Sequence, residues 1–400
     1  MSLITGPFLP DLFLTIIIFN FLILYINTKE YSALNFKYLL IFLIFCSILT
    51  LISIYYGNLG SIKSSLFYFR FGIFALAVYF IILQKKNSFK ILLKIISIIF
   101  FLLFIDSVYQ YFYLENLLGF KYIDRNNFRI TSFFGDDEVL GSYVSRLSPL
   151  LLFLFVYNNE KLSLIKKILF TVFFITTFTT VLLSGERTSL ALFLLFIIII
   201  FFSSIKLRKL AIIPLILLIL ISSVILSSSE KIKNRVITKT INQLGLTSDS
   251  ERLVLFGKIY EGHFIISLNM FKEKPIFGHG AKSFRYYCSK EENFVAYNAC
   301  STHPHNFYAQ MLAEAGLFGF VSLILIFLSI FYLFLKNFYY QIFKRKQYLT
   351  DFAICLLSSY FITLFPLLPS GNFFNNWLSI LIYYPLGFLI YIYNQKKFYV

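Results

Sequence analysis

The chain reads as an all-α protein that crosses a membrane many times, and three observations predict this class. It is 58% hydrophobic with a mean hydropathy of +0.78, so a soluble domain of this length would lack the charge to stay dissolved. Its apolar residues gather in long, nearly unbroken runs. Its charges fall in short clusters between those runs, not along one polar face, so the formal charge of +17 predicts membrane topology and not nucleic-acid binding.

A helix needs roughly 20 apolar residues to cross the hydrocarbon layer. Runs that reach or approach this length are 12–26, 39–56, 66–83, 91–109, 139–157, 164–183, 189–204, 210–226, 317–335, 352–368 and 377–393. They predict about eleven spans. The organisation is therefore N-terminal spans over 1–226, a polar segment over 227–313, and C-terminal spans over 314–400.

Alternate connections are basic. One set carries Lys29 and Lys37; Lys85, Lys86, Lys90 and Lys94; Lys161, Lys166 and Lys167; Lys206, Arg208 and Lys209; Lys336, Lys344, Arg345 and Lys346; and Lys396 and Lys397. The short connections of the other set hold Lys63, Arg187 and the trio Lys121, Arg125 and Arg129. The positive-inside rule makes the first set cytoplasmic, with the C-terminus inside and the N-terminus outside. Met1 to Pro10 lacks the basic start of a cleavable signal peptide, and the run from Leu12 is expected to act as a signal-anchor. An outside N-terminus with an odd number of spans follows from a short leading segment or from an apolar stretch missing upstream.

The same rule places 227–313 on the outer side, since the lysines of a long loop do not set topology. Ser227-Ser-Ser-Glu-Lys-Ile-Lys-Asn reads as a helix start, 251–272 has helical spacing, and Lys274-Pro-Ile-Phe-Gly-His-Gly280 reads as a turn ending it. Cys288 and Cys300 both lie in this segment, facing an oxidising compartment, and a disulfide between them is expected. It would hold the following Ser301-Thr-His-Pro-His-Asn-Phe-Tyr308 in place. Cys46 and Cys355 lie within spans, as packing residues.

Ionisable residues in spans are costly and mark function or a buried pair. On the predicted topology they converge on the outer boundary: Arg70 and Asp106 at the outer ends of their spans, Arg146 two turns inside its own, Arg187 in the turn Ser184-Gly-Glu-Arg-Thr-Ser189, and His303 and His305 before the span near Gly316. Arg70 and Asp106 could equally form a structural ion pair. Asp137 and Glu138, in Asp136-Asp-Glu138, are expected to cap the helix that follows. Arg187 suits bidentate phosphate binding, against the simpler use of pairing with Glu186. All four histidines (His263, His279, His303 and His305) fall in the outer segment, and a neutral imidazole there can take a proton from an attacking hydroxyl. No spacing of zinc ligands and no GxSxG turn accompanies them, so neither metal nor cofactor is expected.

These residues resemble the O-antigen ligase and O-antigen polymerase superfamily of bacterial inner-membrane proteins. Its signature is a His followed by Asn, Ser or Gln, then nine residues, Gly, two residues, and Gly, Thr or Tyr; His305-Asn306, Gly316 and Gly319 fit this spacing. Pro275-Ile-Phe-Gly-His-Gly280 resembles the family's Pro-Leu-x-Gly-x-Gly turn, and Gly-Glu-Arg-Thr its arginine-bearing outer turn. The likeness covers roughly 130–320 by motif and the whole chain by topology, the family having about twelve spans. It implies metal-independent glycosyl transfer on the periplasmic face of the inner membrane. The donor would be an undecaprenyl-diphosphate-linked glycan and the acceptor lipid A–core (a ligase) or a second lipid-linked glycan (a polymerase). By that resemblance His305 would activate the attacking hydroxyl, with His303 and Asn306 in support, and Arg187 and a loop arginine would bind the diphosphate. Arg252 is assigned as that second arginine, although it lies far upstream of Pro275; Lys258, His263 and Arg285 are other candidates. A transporter or flippase is the remaining reading, but its charges would gather at the midplane.

Overall fold

The computed structural model describes the chain apart from Met1, Pro7 and residues 29–35, 57–58, 86, 122–127, 160–162, 245, 247–256 and 297–298. Of the predicted topology-setting cations, Lys29, Lys86, Lys161 and Arg125 lie outside the described residues.

The described residues are mostly helical, with no strand among them. Helices α1 (Phe8–Thr28), α2 (Phe36–Tyr55), the short α3 (Leu59–Leu66), α4 (Arg70–Gln84) and α5 (Ser88–Tyr113) come first. They are followed by α6 (Leu140–Asn158), α7 (Leu164–Leu183), α8 (Arg187–Ser203) and α9 (Ile205–Ser228). The polar segment carries α10 (Glu230–Lys233), α11 (Lys239–Gln243), α12 (Lys258–Glu273) and α13 (Phe284–Tyr287). The chain closes with α14 (Phe307–Phe343), α15 (Asp351–Thr363) and α16 (Asn376–Asn394). Without water to bond the backbone, these apolar runs have only the helix to satisfy their N–H and C=O groups. Eight helices among the described residues are long and apolar enough to cross a membrane, and three shorter apolar ones (Leu39–Tyr55, Arg187–Ser203 and Asp351–Thr363) occupy three more of the predicted spans.

Burial orders the bundle. In α6 83% of the apolar stretch is buried, whereas in α1 and α9 the figure is 17%, so α6 is the central post and α1 and α9 are peripheral. Helix α6 packs on α5, α7, α8 and α15, and α4 packs on α16.

At one end of the bundle, hereafter the loop end, α14 does not run straight. Gly316 (φ 60°, ψ −155°) breaks it, leaving a buried stub, Phe307–Ala315, ahead of the long apolar rod. The break is matched by the turn that ends α12. Leu317 and Phe318 donate to the Pro275 and Ile276 carbonyls (2.8 and 3.1 Å), and His279 and Gly280 donate to Ala313 and Glu314 (3.2 and 2.9 Å). The approach is so close that a Cβ on Gly278 would lie 2.5 Å from the Glu314 carbonyl carbon, and one on Gly316 2.5 Å from that of Ile276. Both glycines have positive φ, so two independent reasons exclude a side chain at each.

Two expected contacts are replaced by others. Arg70 does not meet Asp106. It pairs with Asp11 at 3.2 Å, and Asn376 donates to the same carboxylate at 2.7 Å, because α4 lies between α1 and α16. Asp106 instead accepts from the Leu117 N–H (2.7 Å) and the Ser132 hydroxyl (2.5 Å), tying the α5–α6 connection to the end of α5. Nor do Asp137 and Glu138 cap α6. Asp137 is exposed and Glu138 pairs with Arg129. The first turn of α6 is capped from a distance by Glu186, which accepts from the Gly141 and Ser142 N–H groups at 2.6 and 3.1 Å.

Candidate active site

His305 stands in the segment just before α14. Its backbone takes a left-handed conformation (φ 53°), which an L-residue other than Asn or Gly seldom adopts. Neighbouring bonds enforce it. The Ser370 N–H donates to the His305 carbonyl at 2.8 Å. Asn306 caps α14, its side-chain oxygen accepting from Tyr308 and Ala309 N–H (2.9 and 3.1 Å) while its amide donates to the Pro366 carbonyl at 2.8 Å. An amide at this position both caps the helix and anchors the α15–α16 connection, which an apolar residue could not do. The disulfide Cys288–Cys300, with Cα atoms 5.2 Å apart, closes the segment directly upstream.

Three imidazoles gather there. The His305 ring lies 4.1 Å from that of His303 and 5.3 Å, nearly parallel, from that of His263 on α12. His263 is oriented by its Nδ1, 2.5 Å from the Ala299 carbonyl, an arrangement that places the proton on Nδ1. The His303 Nδ1 meets the Thr302 hydroxyl at 3.0 Å. No ring nitrogen of His305 has a hydrogen-bond partner among the described residues, and it is left to meet a ligand. Burial lowers the proton affinity of all three, because the charged form loses its hydration. His305 falls to about 4, with the neighbouring His263 adding to the effect, and His303 falls to about 3, with His305 adding to it. His305 is therefore neutral near pH 7 and able to accept a proton. The His263 and His305 rings stack and that of His303 is tilted against His305, and among the described residues no three His, Cys, Asp or Glu side chains are arranged to hold a metal.

A cationic group adjoins the stack. Arg187, the first residue of α8, reaches Gln243 Oε1 at 2.7 Å and the Thr240 hydroxyl at 3.4 Å. Glu186 is not its partner, being committed to the α6 N-terminus and to the Ser189 hydroxyl at 2.9 Å. Arg235 is buried beneath the same turn, its Nε donating to the Gly185 carbonyl at 3.1 Å. Burial and the nearby charges of Arg129 and Arg187 push the Arg235 guanidinium down to about 10. Glu138 and Tyr260 pull in the other direction, and Tyr260 also acts on Arg187. The Tyr260 ring meets His305 edge-on at 5.8 Å and His263 at 6.1 Å. Tyr260 thus packs on the histidines and lies within electrostatic reach of Arg187 and Arg235.

Arg235 and Tyr260 were not singled out from the sequence. Arg235 sits among the lysines 231, 233 and 239, where it looks like one more solvated charge. Its signal was the helical register, three residues after Ile232, with both side chains buried. Of the other candidates, Arg146 is buried within α6 and turned back on Ser142, outside the histidine and arginine groups. Arg285 is exposed on α13, close enough for its charge to act on His303. Arg252 lies outside the described residues, as does the side chain of Lys258.

A model of the O-antigen ligase family matches residues 172–324. That stretch runs from within α7 to past Gly316 and Gly319, and so holds Arg187, Arg235, Tyr260 and the three histidines. No curated protein matches the chain. Over residues 172–324 the chain is therefore similar to the O-antigen ligase family, which supports a function of the ligase or polymerase type.

Proposed function

We propose that the chain is a glycosyltransferase of the O-antigen ligase type, acting at the periplasmic face of the bacterial inner membrane. The donor is a glycan carried on undecaprenyl diphosphate, and the acceptor is a sugar hydroxyl, that of lipid A–core. The observation that carries this reading is an unpartnered imidazole, His305, packed against Tyr260, on the same loop end as the arginines of the 185–187 turn and the segment beneath it. In this mechanism the acceptor hydroxyl gives its proton to His305 as its oxygen attacks the anomeric carbon of the donor. The bond from that carbon to the diphosphate oxygen breaks, and the electron pair leaves with the diphosphate. Arg187 and Arg235 stabilise the growing negative charge, with Arg252 available to add a third contact. The donor's own charge raises the proton affinity of His305 from its low resting value, so the base becomes stronger once the donor is bound.

The test is a strain lacking the gene, complemented with His305→Ala. Loss of surface glycan with normal insertion and amount of protein supports the reading, and normal surface glycan overturns it. The same deletion strain separates ligase from polymerase, since a ligase defect leaves lipid A–core without added sugar, whereas a polymerase defect leaves a single repeat unit.

A further inference from the structure

Arg187 is tethered without being neutralised. Its Nη2 donates to Gln243 Oε1 at 2.7 Å and its Nη1 to the Thr240 hydroxyl oxygen at 3.4 Å. The Thr240 hydroxyl gives its own proton to the Val236 carbonyl at 2.6 Å, so its oxygen offers the arginine only lone pairs. A guanidinium carries five N–H donors in one rigid plane. Two neutral acceptors on α11 therefore fix the plane of Arg187, while its charge stays uncancelled and its other N–H groups have no partner among the described residues. The neighbouring carboxylate, Glu186, is held away by its bonds to Gly141, Ser142 and Ser189.

The segment that supplies these acceptors runs through α10, a π-turn over Asn234–Thr238, and α11. In a regular α-helix, residues five apart point about 140° away from each other. A π-turn takes more residues to close, which brings Arg235 and Thr240 toward one face, and Gln243 follows a turn later. That face grips the 184–187 turn at two points, with Arg235 Nε on the Gly185 carbonyl at 3.1 Å and Thr240 and Gln243 on Arg187. The segment then abuts the start of α12, where a Cβ on Gly257 would lie 3.9 Å from both the Gln243 carbonyl oxygen and the Tyr260 ring. Gln243 thus stands between Arg187 and the helix that brings Tyr260 and His263 to His305. We propose that Gln243, assisted by Thr240, is a positioning residue that sets Arg187 at a fixed angle for the donor diphosphate without discharging it. The proposal rests on the transferase reading and deepens it by assigning the residue that orients the donor arginine.

The test measures binding of undecaprenyl diphosphate by the full chain in phosphatidylethanolamine nanodiscs. Gln243→Glu keeps the shape of the side chain but gives Arg187 a carboxylate that competes with the diphosphate, so Kd should rise by about tenfold to a hundredfold. Gln243→Ala releases the guanidinium but spares its charge, and should raise Kd by only about threefold. A packing role for Gln243 predicts the reverse order, because alanine removes more of the side chain. In an Arg187→Gln background neither substitution should change Kd by more than about twofold, since both act through the arginine. Wild-type affinity in Gln243→Glu overturns the proposal, as does a larger loss in Gln243→Ala than in Gln243→Glu, or a loss that persists in full without Arg187. Failure of the transferase reading registers separately, as wild-type affinity in Arg187→Gln alone, or as wild-type protein that binds undecaprenyl diphosphate no better than undecaprenol.

Discussion

The two ends of the helical bundle solve the same problem with different groups. At the end opposite the large loop, helix termini are joined mostly by neutral amides. Asn337, fully buried, donates to the Ser203 carbonyl at 2.8 Å and accepts from the Tyr348 and Leu349 N–H groups, while Gln347 accepts from the Ile205 N–H. At the loop end amides such as Asn306 and Gln110 share this work with buried ionisable groups, Glu186 on α6, Glu314 on the 282–284 backbone, Asp106 on the α5–α6 connection and Arg235 on the Gly185 carbonyl. An amide satisfies backbone groups at small desolvation cost, whereas a buried charge costs far more for the same bonds. Burial pushes Glu186 up to about 7 despite its bonds to Gly141 and Ser189 and the charges of Arg129 and Arg146. The loop end is thus a frame built to hold charge, which is what a site for an anionic donor requires.

If that contrast is functional, variants at the two ends must separate activity from stability. The largest effect on substrate handling is expected from Arg235→Gln, which removes a guanidinium that the proposed mechanism sets against the donor diphosphate. Donor KM in a nanodisc transfer assay should rise by about tenfold to a hundredfold, with partial recovery in Arg235→Lys. An unchanged donor KM would reduce Arg235 to a structural pin for the Gly185 turn. At the opposite end, Asn337→Leu leaves the Tyr348 and Leu349 N–H groups without their acceptor, while the Ser203 carbonyl keeps Gln341, and should cost about 3 kcal/mol of stability. Transfer per folded molecule should stay at the wild-type rate, and a comparable loss of rate there would break the division between the two ends. The smallest effect is in the pH profile. Because His305 rests near 4 in the free protein, kcat/KM should hold as pH falls and decline only as it passes below about 4. The corresponding limb of kcat should lie at higher pH, since a bound diphosphate favours the imidazolium. A kcat/KM limb at the ordinary histidine value of about 6.5 would mean that the stack does not shield the ring.

What the sequence made legible follows from which signals are local. The spans were readable because crossing a membrane imposes a length, and the Pro275–Gly280 turn and the Gly316 break because positive φ demands glycine. His305 and Arg187 stood out through short motifs with fixed spacing. The pairings were not readable, since Arg70 could have met Asp106 or Asp11 and only the order of helices around the bundle decides. The cap on α6 was missed for the same reason, since Glu186 reaches it from 44 and 45 positions along the chain. Arg235 was hidden by its lysine neighbours, and Tyr260 by being one tyrosine of 28.

The central claim is that His305 performs the transfer step on a donor held by arginines. The direct measurement is a single turnover in nanodiscs, with wild type or His305→Ala loaded with undecaprenyl-diphosphate-linked glycan before acceptor is added. His305→Ala should retain the donor as wild type does and transfer its glycan slower by about a hundredfold or more, the range expected for removal of a general base. Transfer at the wild-type rate from an equally loaded His305→Ala protein would contradict the account.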